Sequence, residues 1–285
     1  MYVLREPEPM LREHIEHYWF VLDEAGEPVD LRVEVFVDAR ADLVFNFGAP
    51  YRREVIGGPS YELADSNFDA QRLVPIRIAQ RGQVRVGGVR FHLGGVAAFT
   101  KARLAEFNGS TPRPDVVFGA GSEQLEAALR AERGPDAASA LLDAFFLDLL
   151  GRNGSHPGWS HALRVMRSSD GLAPLADVAG SAGVSVRHLE RLFARGLGFP
   201  PKTVARVLRF QHALRRLMSD PAVPLGELAA TAGYFDQPHF IRDFWRFTGG
   251  VPRGYRGYYP PDAPTDFAPN VVVFVQDLPE PVAPA

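Results

Sequence analysis

At 285 residues, 46% hydrophobic and 23% charged, the chain is long enough to bury the cores of two domains and too apolar to be disordered throughout. It has no cysteine, which excludes a disulfide framework and a thiolate metal site. The net charge of −3 hides an asymmetry: residues 160–259 carry fourteen Lys or Arg against seven Asp or Glu, residues 1–159 carry seventeen against twenty-three, and the tail carries four acidic residues and no basic one. Such a split is expected where one domain meets phosphates and another does not.

The chain opens on MYVLREPEPML, which lacks the apolar core of a signal peptide, and no run reaches the length of a membrane span. A cytoplasmic protein without a membrane partner is the expectation. After a short segment, LREHIEHYWFVL, the pattern becomes strand-like. LRVEVFV alternates Leu31, Val33, Val35 and Val37 against Arg32 and Glu34; DLVFNFG, YRREVI, PIRIAQ and QVRVGGVRFHL follow, separated by Gly or Pro. Short strands at this spacing predict an antiparallel sheet or barrel.

From Gly94 the period turns helical, in GGVAAFTKARLAEF, SEQLEAALRAE and DAASALLDAFFLDLL. The last run is apolar almost all round, through Leu141, Leu142, Phe145, Phe146, Leu149 and Leu150, so it must be buried on more than one side, in the core or against a partner subunit. These elements make residues 1–150 an N-terminal sensing or dimerising domain. GRNGSHPGW, residues 151–159, gathers Gly, Asn, Ser and Pro and is the expected linker. Residues 160–259 then begin with a helix near Ser160.

Residues 172–194 read LAPLADVAGSAGVSVRHLERLFA, with Leu175, Val178, Ala179, Gly183, Val184, Leu189 and Leu192 at helix-turn-helix spacing. Two helices crossing steeply need a small residue at the contact, Ala179, and a glycine where φ turns positive, Gly183. Ser185 is placed to cap the second helix, whose positions Val186, Leu189 and Phe193 point inward. Arg187, His188, Glu190, Arg191 and Arg195 are left outside.

PPKTVARVLRFQHALRRLMSD follows as a connecting helix with Val207, Phe210, Leu214 and Leu217 on one face, ending before Pro221. A second copy of the device then repeats Val178, Ala179 and Gly183 as Leu228, Ala229 and Gly233, at an offset of fifty. Its turn is one residue longer. Asp236 caps, Pro238 stands in the first turn where a missing N–H costs nothing, and Phe240, Phe244 and Phe247 face inward. Gln237, His239, Ile241, Arg242 and Arg246 face out. The tail, residues 260–285, is Pro-rich around NVVVFVQD, a strand that needs a sheet edge to join.

The run GYFDQPHFIRDFWRFTGGVPRGYR resembles the signature of AraC-type transcription regulators, whose DNA-binding domain holds two helix-turn-helices of this offset. Gly233, Tyr234, Asp236, Gln237, His239, Phe240, Arg242, Phe244, Gly249, Pro252 and Tyr255 fall where that motif has them or a close substitute. Pro238 replaces the usual Ser, taking away a hydroxyl that could bind phosphate, and Gly250 stands where Thr or Ser is usual. VDARADLVFNFG and GVRFHLGGVAAF resemble the cupin-like sensory-type N-terminal domain of a subgroup, although Asp38, Ala39 and Arg40 stand in place of its Pro-Asp-Gly. The architecture implied is multidomain: a β-rich, cupin-like sheet or barrel with helices, then an all-α domain of two helix-turn-helix motifs joined by a helix.

Arginine makes paired hydrogen bonds to guanine O6 and N7, so Arg187 and Arg191 are the first base-reading candidates, followed by His188 and by Glu190, which can accept from cytosine N4 or orient an arginine. Gln237, His239 and Arg242 are the candidates on the second reading helix. Ser185, Arg195, Arg206, Arg246, Arg253 and Arg256 are phosphate candidates; Arg206, Arg253 and Arg256 also admit a structural role, and Arg209 lies where the family has a packed, salt-bridged Arg.

His14, His17 and His92 lack a carboxylate partner at metal-site spacing and are read as structural or surface residues. No Ser-His-Asp order, Walker-type loop or carboxylate pair appears, so no catalytic residue, cofactor or enzyme is expected. The expected function is sequence-specific regulation of transcription on double-stranded DNA, modulated by a small effector in the N-terminal domain. A homodimer and, for an activator, RNA polymerase are the further partners. The rivals are a cupin-like catalytic domain fused to a DNA-binding module and an effector-free regulator whose N-terminal domain only dimerises.

Overall fold

The computed structural model describes residues 2–22, 29–153, 157–220, 222–256 and 273–274. The N-terminal half holds strands β1 (Tyr2–Arg5), β2 (Ile15–Leu22), β3 (Val29–Val35), β4 (Asp42–Asn46), β5 (Tyr51–Val55), β6 (Ser60–Leu63), β7 (Asn67–Asp69), β8 (Ile76–Gly82) and β9 (Arg85–Phe91). They form two antiparallel sheets, one ordered β1-β2-β9-β4-β7 and the other β3-β8-β5-β6, with β10 (Val273–Phe274) added to β3 at its edge. The tail strand, which needs a sheet edge to join, has one here over the two residues described. LREHIEHYWFVL, not assigned to a strand from its sequence, supplies β2, the neighbour of β9 over its whole length.

Period-two alternation explains why the first sheet is apolar on both faces. Phe20, Leu43, Phe45, Val89 and Phe91 point to one side, where helices cover them. Trp19, Val21, Val44 and Val86 point to the other, against Val33, Val35 and Ile78 of the second sheet. Gly87 and Gly88 of β9 make room for both layers: a Cβ would stand 2.7 Å from the Phe20 ring at Gly87 and 2.6 Å from the Trp19 ring at Gly88.

The covering helices are α1 (Pro114–Phe118), α2 (Gly121–Ala131) and α3 (Pro135–Asn153). In α3, Leu142, Phe146 and Leu149 are buried, whereas Leu141, Phe145, Leu147 and Leu150 are half-buried at the margins of that stripe. The Phe146 ring meets Phe99 at 4.8 Å and Phe91 at 5.5 Å, both edge-on. The helix expected over residues 94–107 does not form. Two 3-10 turns, Gly95–Ala98 and Leu104–Phe107, replace it, because Gly94 is left-handed at φ +72° and Gly95 lies so close to the His14 carbonyl that no side chain fits.

Helix α4 (Pro157–Ser168) begins earlier than Ser160 and α3 runs on to Asn153, so helices take up much of the stretch read as linker. Residues 154–156 lie outside the described residues. Helices α5 (Leu175–Ser181), α6 (Val186–Gly196), α7 (Pro201–Ser219), α8 (Leu225–Thr231) and α9 (Gln237–Thr248) complete the C-terminal half. Val207, Phe210, Leu214 and Leu217 are fully buried along α7, so the expected face of the connecting helix is its core face.

This C-terminal core does not stop at the domain boundary. It includes Phe36, Val37, Ala39 and Leu93. The Val37 N–H donates to the Phe247 carbonyl at 3.2 Å, the Gln211 amide on α7 donates to the Val37 carbonyl, and Phe36 packs edge-on against Tyr255 at 5.2 Å.

The three histidines lie in the N-terminal half, His14 buried and edge-on to Phe99 at 5.6 Å. Burial pushes His17 and His92 down to about 4. Among the described residues no group of three metal-ligating side chains could hold an ion. A histidine depressed in the fold contributes stability above its unfolded value near 6.5 and loses it as pH falls toward 4. Asp42, raised by burial to about 6, works in the opposite direction over part of that window. Burial lowers His14 as well, and the three depressed histidines outweigh one raised carboxyl, so stability should drop by on the order of 2 kcal/mol between pH 7 and pH 5. Urea midpoints at the two pH values test this; the His17→Gln, His92→Gln double variant should flatten the profile, and an unchanged or higher midpoint at pH 5 contradicts it.

Candidate nucleic-acid interface

The first helix-turn-helix pairs α5 with α6. At the turn Gly183 is left-handed at φ +68°, its N–H reaches the Gly180 carbonyl at 3.1 Å, and the Val184 N–H reaches the Ala179 carbonyl at 3.0 Å. Ser185 caps α6, its hydroxyl accepting from the His188 N–H at 3.2 Å. Leu189 and Phe193 anchor the helix in the core, with Trp159 edge-on to Phe193 at 5.0 Å.

Arg187, Glu190 and Arg191 are exposed and His188 is half-buried. The Arg191 guanidinium lies 2.9 Å from His188 Nδ1, so those two side chains present one hydrogen-bonding edge. Val186, expected to face inward, is 39% exposed. It stands at the first position of the helix, before the packed face begins.

The second device, α8 with α9, repeats the first bond for bond. Gly233 has φ +71°, its N–H reaches the Ala230 carbonyl at 3.1 Å, and the Tyr234 N–H reaches the Ala229 carbonyl at 2.9 Å. Asp236 caps α9 by accepting from the His239 N–H at 2.7 Å. Phe240, Phe244 and Phe247 are buried as the spacing requires. Gln237, Arg242 and Arg246 are exposed. His239 is half-buried, edge-on to Tyr234 at 5.2 Å. Ile241, expected outside, is half-buried and packs on the shared core.

The remaining basic candidates divide by what already holds them. Arg206 pairs with Asp243 at 2.7 Å and stacks over Phe247 at 5.3 Å, so its charge is engaged inside the domain rather than offered to phosphate. Arg256 donates to the Val223 carbonyl at 2.9 Å and ties the end of the domain to the start of α8. Arg209, expected in a salt bridge, donates instead to the Gly233 carbonyl at 3.0 Å and stacks over Tyr234 at 5.8 Å, which braces the second turn. Arg246 and Arg253 are exposed. Arg195 is exposed at the far end of α6, away from the cap and toward the N-terminal domain.

There Arg195 lines a cleft of about 570 Å³ walled by residues of the N-terminal half around Leu93–Leu104, by α4 and by the last turn of α6. Lys101 and Arg167 line it too, and none of the three cations forms an ion pair with a described residue. Burial and the neighbouring Arg40 charge both depress Arg167, with Glu16 and Glu13 acting the other way, so the cleft holds three cations against one lining carboxylate, Glu13, which pairs with Arg164. Positions 101, 167 and 195 share no spacing, so no pattern in the sequence marks this site. Trp245, 48% exposed on α9, was likewise not singled out.

Residues 178–258 match the model of a family described as a helix-turn-helix domain, and residues 5–113 match one described as a domain of unknown function, DUF6597. The HTH-type transcriptional regulator GlxA of Rhizobium meliloti is 31% identical over 175 residues, which cover 60% of this chain and 49% of that protein. The chain thus spans about half the length of the curated relative it matches. Among solved structures, a transcriptional regulator with an AraC-type DNA-binding domain from Chromobacterium violaceum is 29% identical, covering 36% of this chain and 92% of that one, with a TM-score of 0.34. ToxT from Vibrio cholerae is 10% identical, covering 80% of this chain and 97% of that one, with a TM-score of 0.44.

Proposed function

We propose, from the premise that residues 178–258 match a helix-turn-helix domain, that this protein is a transcription regulator of the AraC type whose two reading helices enter successive major-groove segments of double-stranded DNA. The observation that carries the reading is the duplication of one hydrogen-bonded frame, each copy ending in a capped helix with outward polar side chains. Arg187, His188, Glu190 and Arg191 read bases from α6; Gln237, His239 and Arg242 read from α9. Ser185, Arg246 and Arg253 remain for phosphates, whereas Arg195, turned toward the N-terminal half, goes to the cleft.

Helix α7 fixes the separation of the two readers. With segments about 34 Å apart along the axis, one chain reads an asymmetric site. A homodimer would read two such sites, and an activator would also contact RNA polymerase. Selection of bound sequences from random duplex DNA at fixed, near-physiological salt tests the reading. The expected motif has two information-rich blocks about one helical turn apart; sequence-indifferent binding overturns it.

The effector that modulates DNA binding is assigned to the cleft between the domains, where it touches the N-terminal half and the last turn of α6 together. Lys101, Arg167 and Arg195 call for an anionic group. Anilinonaphthalene sulfonate, an anion with an apolar body, should bind saturably with a rise in fluorescence. The Lys101→Met, Arg167→Met double variant should bind it about tenfold or more weakly, since each charged contact is worth about 1.5–3 kcal/mol. Equal binding by that variant removes the cleft from the reading. No helix among the described residues is long and apolar enough to cross a membrane.

A further inference from the structure

The two turns differ by one residue, and the structure identifies which. Gly183 and Val184 make the same backbone bonds as Gly233 and Tyr234, fifty residues on. The caps Ser185 and Asp236 make the same side-chain bond to the third residue of their helices, at an offset of fifty-one. Phe235 is therefore the inserted residue.

Both of its neighbours are held. Tyr234 is buried, 5.3 Å from the Phe240 ring and under the Arg209 guanidinium, and Asp236 is fixed by its cap bond. Phe235 itself is 93% exposed, the most exposed of the large hydrophobic side chains among the described residues, and belongs to no hydrophobic cluster. A rigid backbone thus carries a large apolar side chain into solvent, two residues before exposed Gln237, the first residue of a reading helix. The fold gains nothing from it, and a polar residue would serve the turn equally well.

The N-terminal end of a reading helix is the part that meets base edges. In the major groove the one apolar group a base pair offers is the C5-methyl of thymine. We propose that Phe235 is a specificity-determining residue that packs on a thymine methyl beside the base addressed by Gln237. The proposal rests on the DNA-reading function above and adds a preference that the first reading helix, lacking the insertion, does not share.

The test uses the duplex recovered by selection, with each thymine of the second block replaced in turn by deoxyuridine, which removes only the methyl. Affinities of the full chain and of Phe235→Ala are measured by fluorescence anisotropy. For the unaltered protein one replacement should weaken binding about fourfold, the factor equivalent to about 0.8 kcal/mol for one buried methyl. Phe235→Ala should bind the thymine duplex more weakly and lose nothing further on that deoxyuridine duplex. Its melting temperature should be unchanged, since the side chain packs on nothing.

If Phe235→Ala shows the same thymine-to-deoxyuridine losses as the unaltered protein, the proposal fails although DNA reading stands. Normal binding by Phe235→Ala with lost activation in the presence of RNA polymerase also overturns it, and makes the residue a protein contact. If the unaltered protein recovers no motif at all, the DNA-reading function falls and this inference with it.

Discussion

Replacing Arg187 and Arg191 together with alanine should abolish sequence preference in the first block of the recovered motif and weaken specific binding by about a hundredfold or more. The estimate follows from about 1–3 kcal/mol of discrimination for each well-placed base contact. Both side chains are exposed on α6, and neither forms an ion pair with a described residue, so the helix does not need them to fold. Ser185, Leu189 and Phe193 keep it capped and anchored. Residual binding should persist at low salt, because phosphate contacts through Arg246 and Arg253 are sequence-independent and fall steeply with salt. Retention of the first block by the double variant would remove α6 as a base reader.

The largest effect on stability should come from Arg90→Met. Arg90, 2% exposed, bonds to both Asp38 and Asp42 in the N-terminal half, with Glu16 close by. Burial pushes Asp38 up, but Arg90, Arg40 and Arg72 more than offset this and hold it below its ordinary value. Removing one partner of a buried ion group leaves uncompensated charge and costs about 3–5 kcal/mol. Asp42, already raised, can take up a proton and relieve part of that cost. Arg152→Met is the control: its pair with Asp148 is exposed on both sides, and such pairs are worth under about 1 kcal/mol. Urea denaturation of the two variants should separate them clearly; equal losses would mean that the buried group is no more than a surface pair.

The C-terminal half was legible because its physics is local. A left-handed glycine, a small contact residue, a capping side chain and apolar spacing of three and four all lie within about twenty-five residues of one another. The offset of fifty doubled the signal. The errors there were at single positions, Val186 and Ile241, where helical phase alone cannot say how far the packed face extends.

The N-terminal half was legible in class and less so in detail. Alternation located β3, β4, β5, β8 and β9, but LREHIEHYWFVL mixes charge and aromatics without clean alternation, because β2 is covered on both faces. GGVAAFTKARLAEF has helical spacing, yet Gly95 must lie against the His14 carbonyl, a contact distant in sequence that no local pattern encodes. The same holds at the interface. Arg206 and Arg256 looked like phosphate ligands because Asp243 and the Val223 carbonyl, which engage them, are set beside them only by tertiary packing. The cleft cations Lys101, Arg167 and Arg195 come from three separate elements and meet only in space.

Residues 36–39 follow β3 in the chain, yet three of them pack in the core of the C-terminal half, with Val37 bonded to α7 on one side and to the end of α9 on the other. A segment so placed makes the two halves thermodynamically inseparable: neither can melt without opening the other's interior, and heating should give a single cooperative transition in place of two. Selection for tight packing at Phe36 or Gln211 would then act on DNA affinity as well, since α7 is both the floor of that shared interior and the spacer between the readers. Recombination that exchanged the N-terminal half for an unrelated one would have to refill the place of Phe36 beside Tyr255, so halves of such proteins are expected to be inherited together.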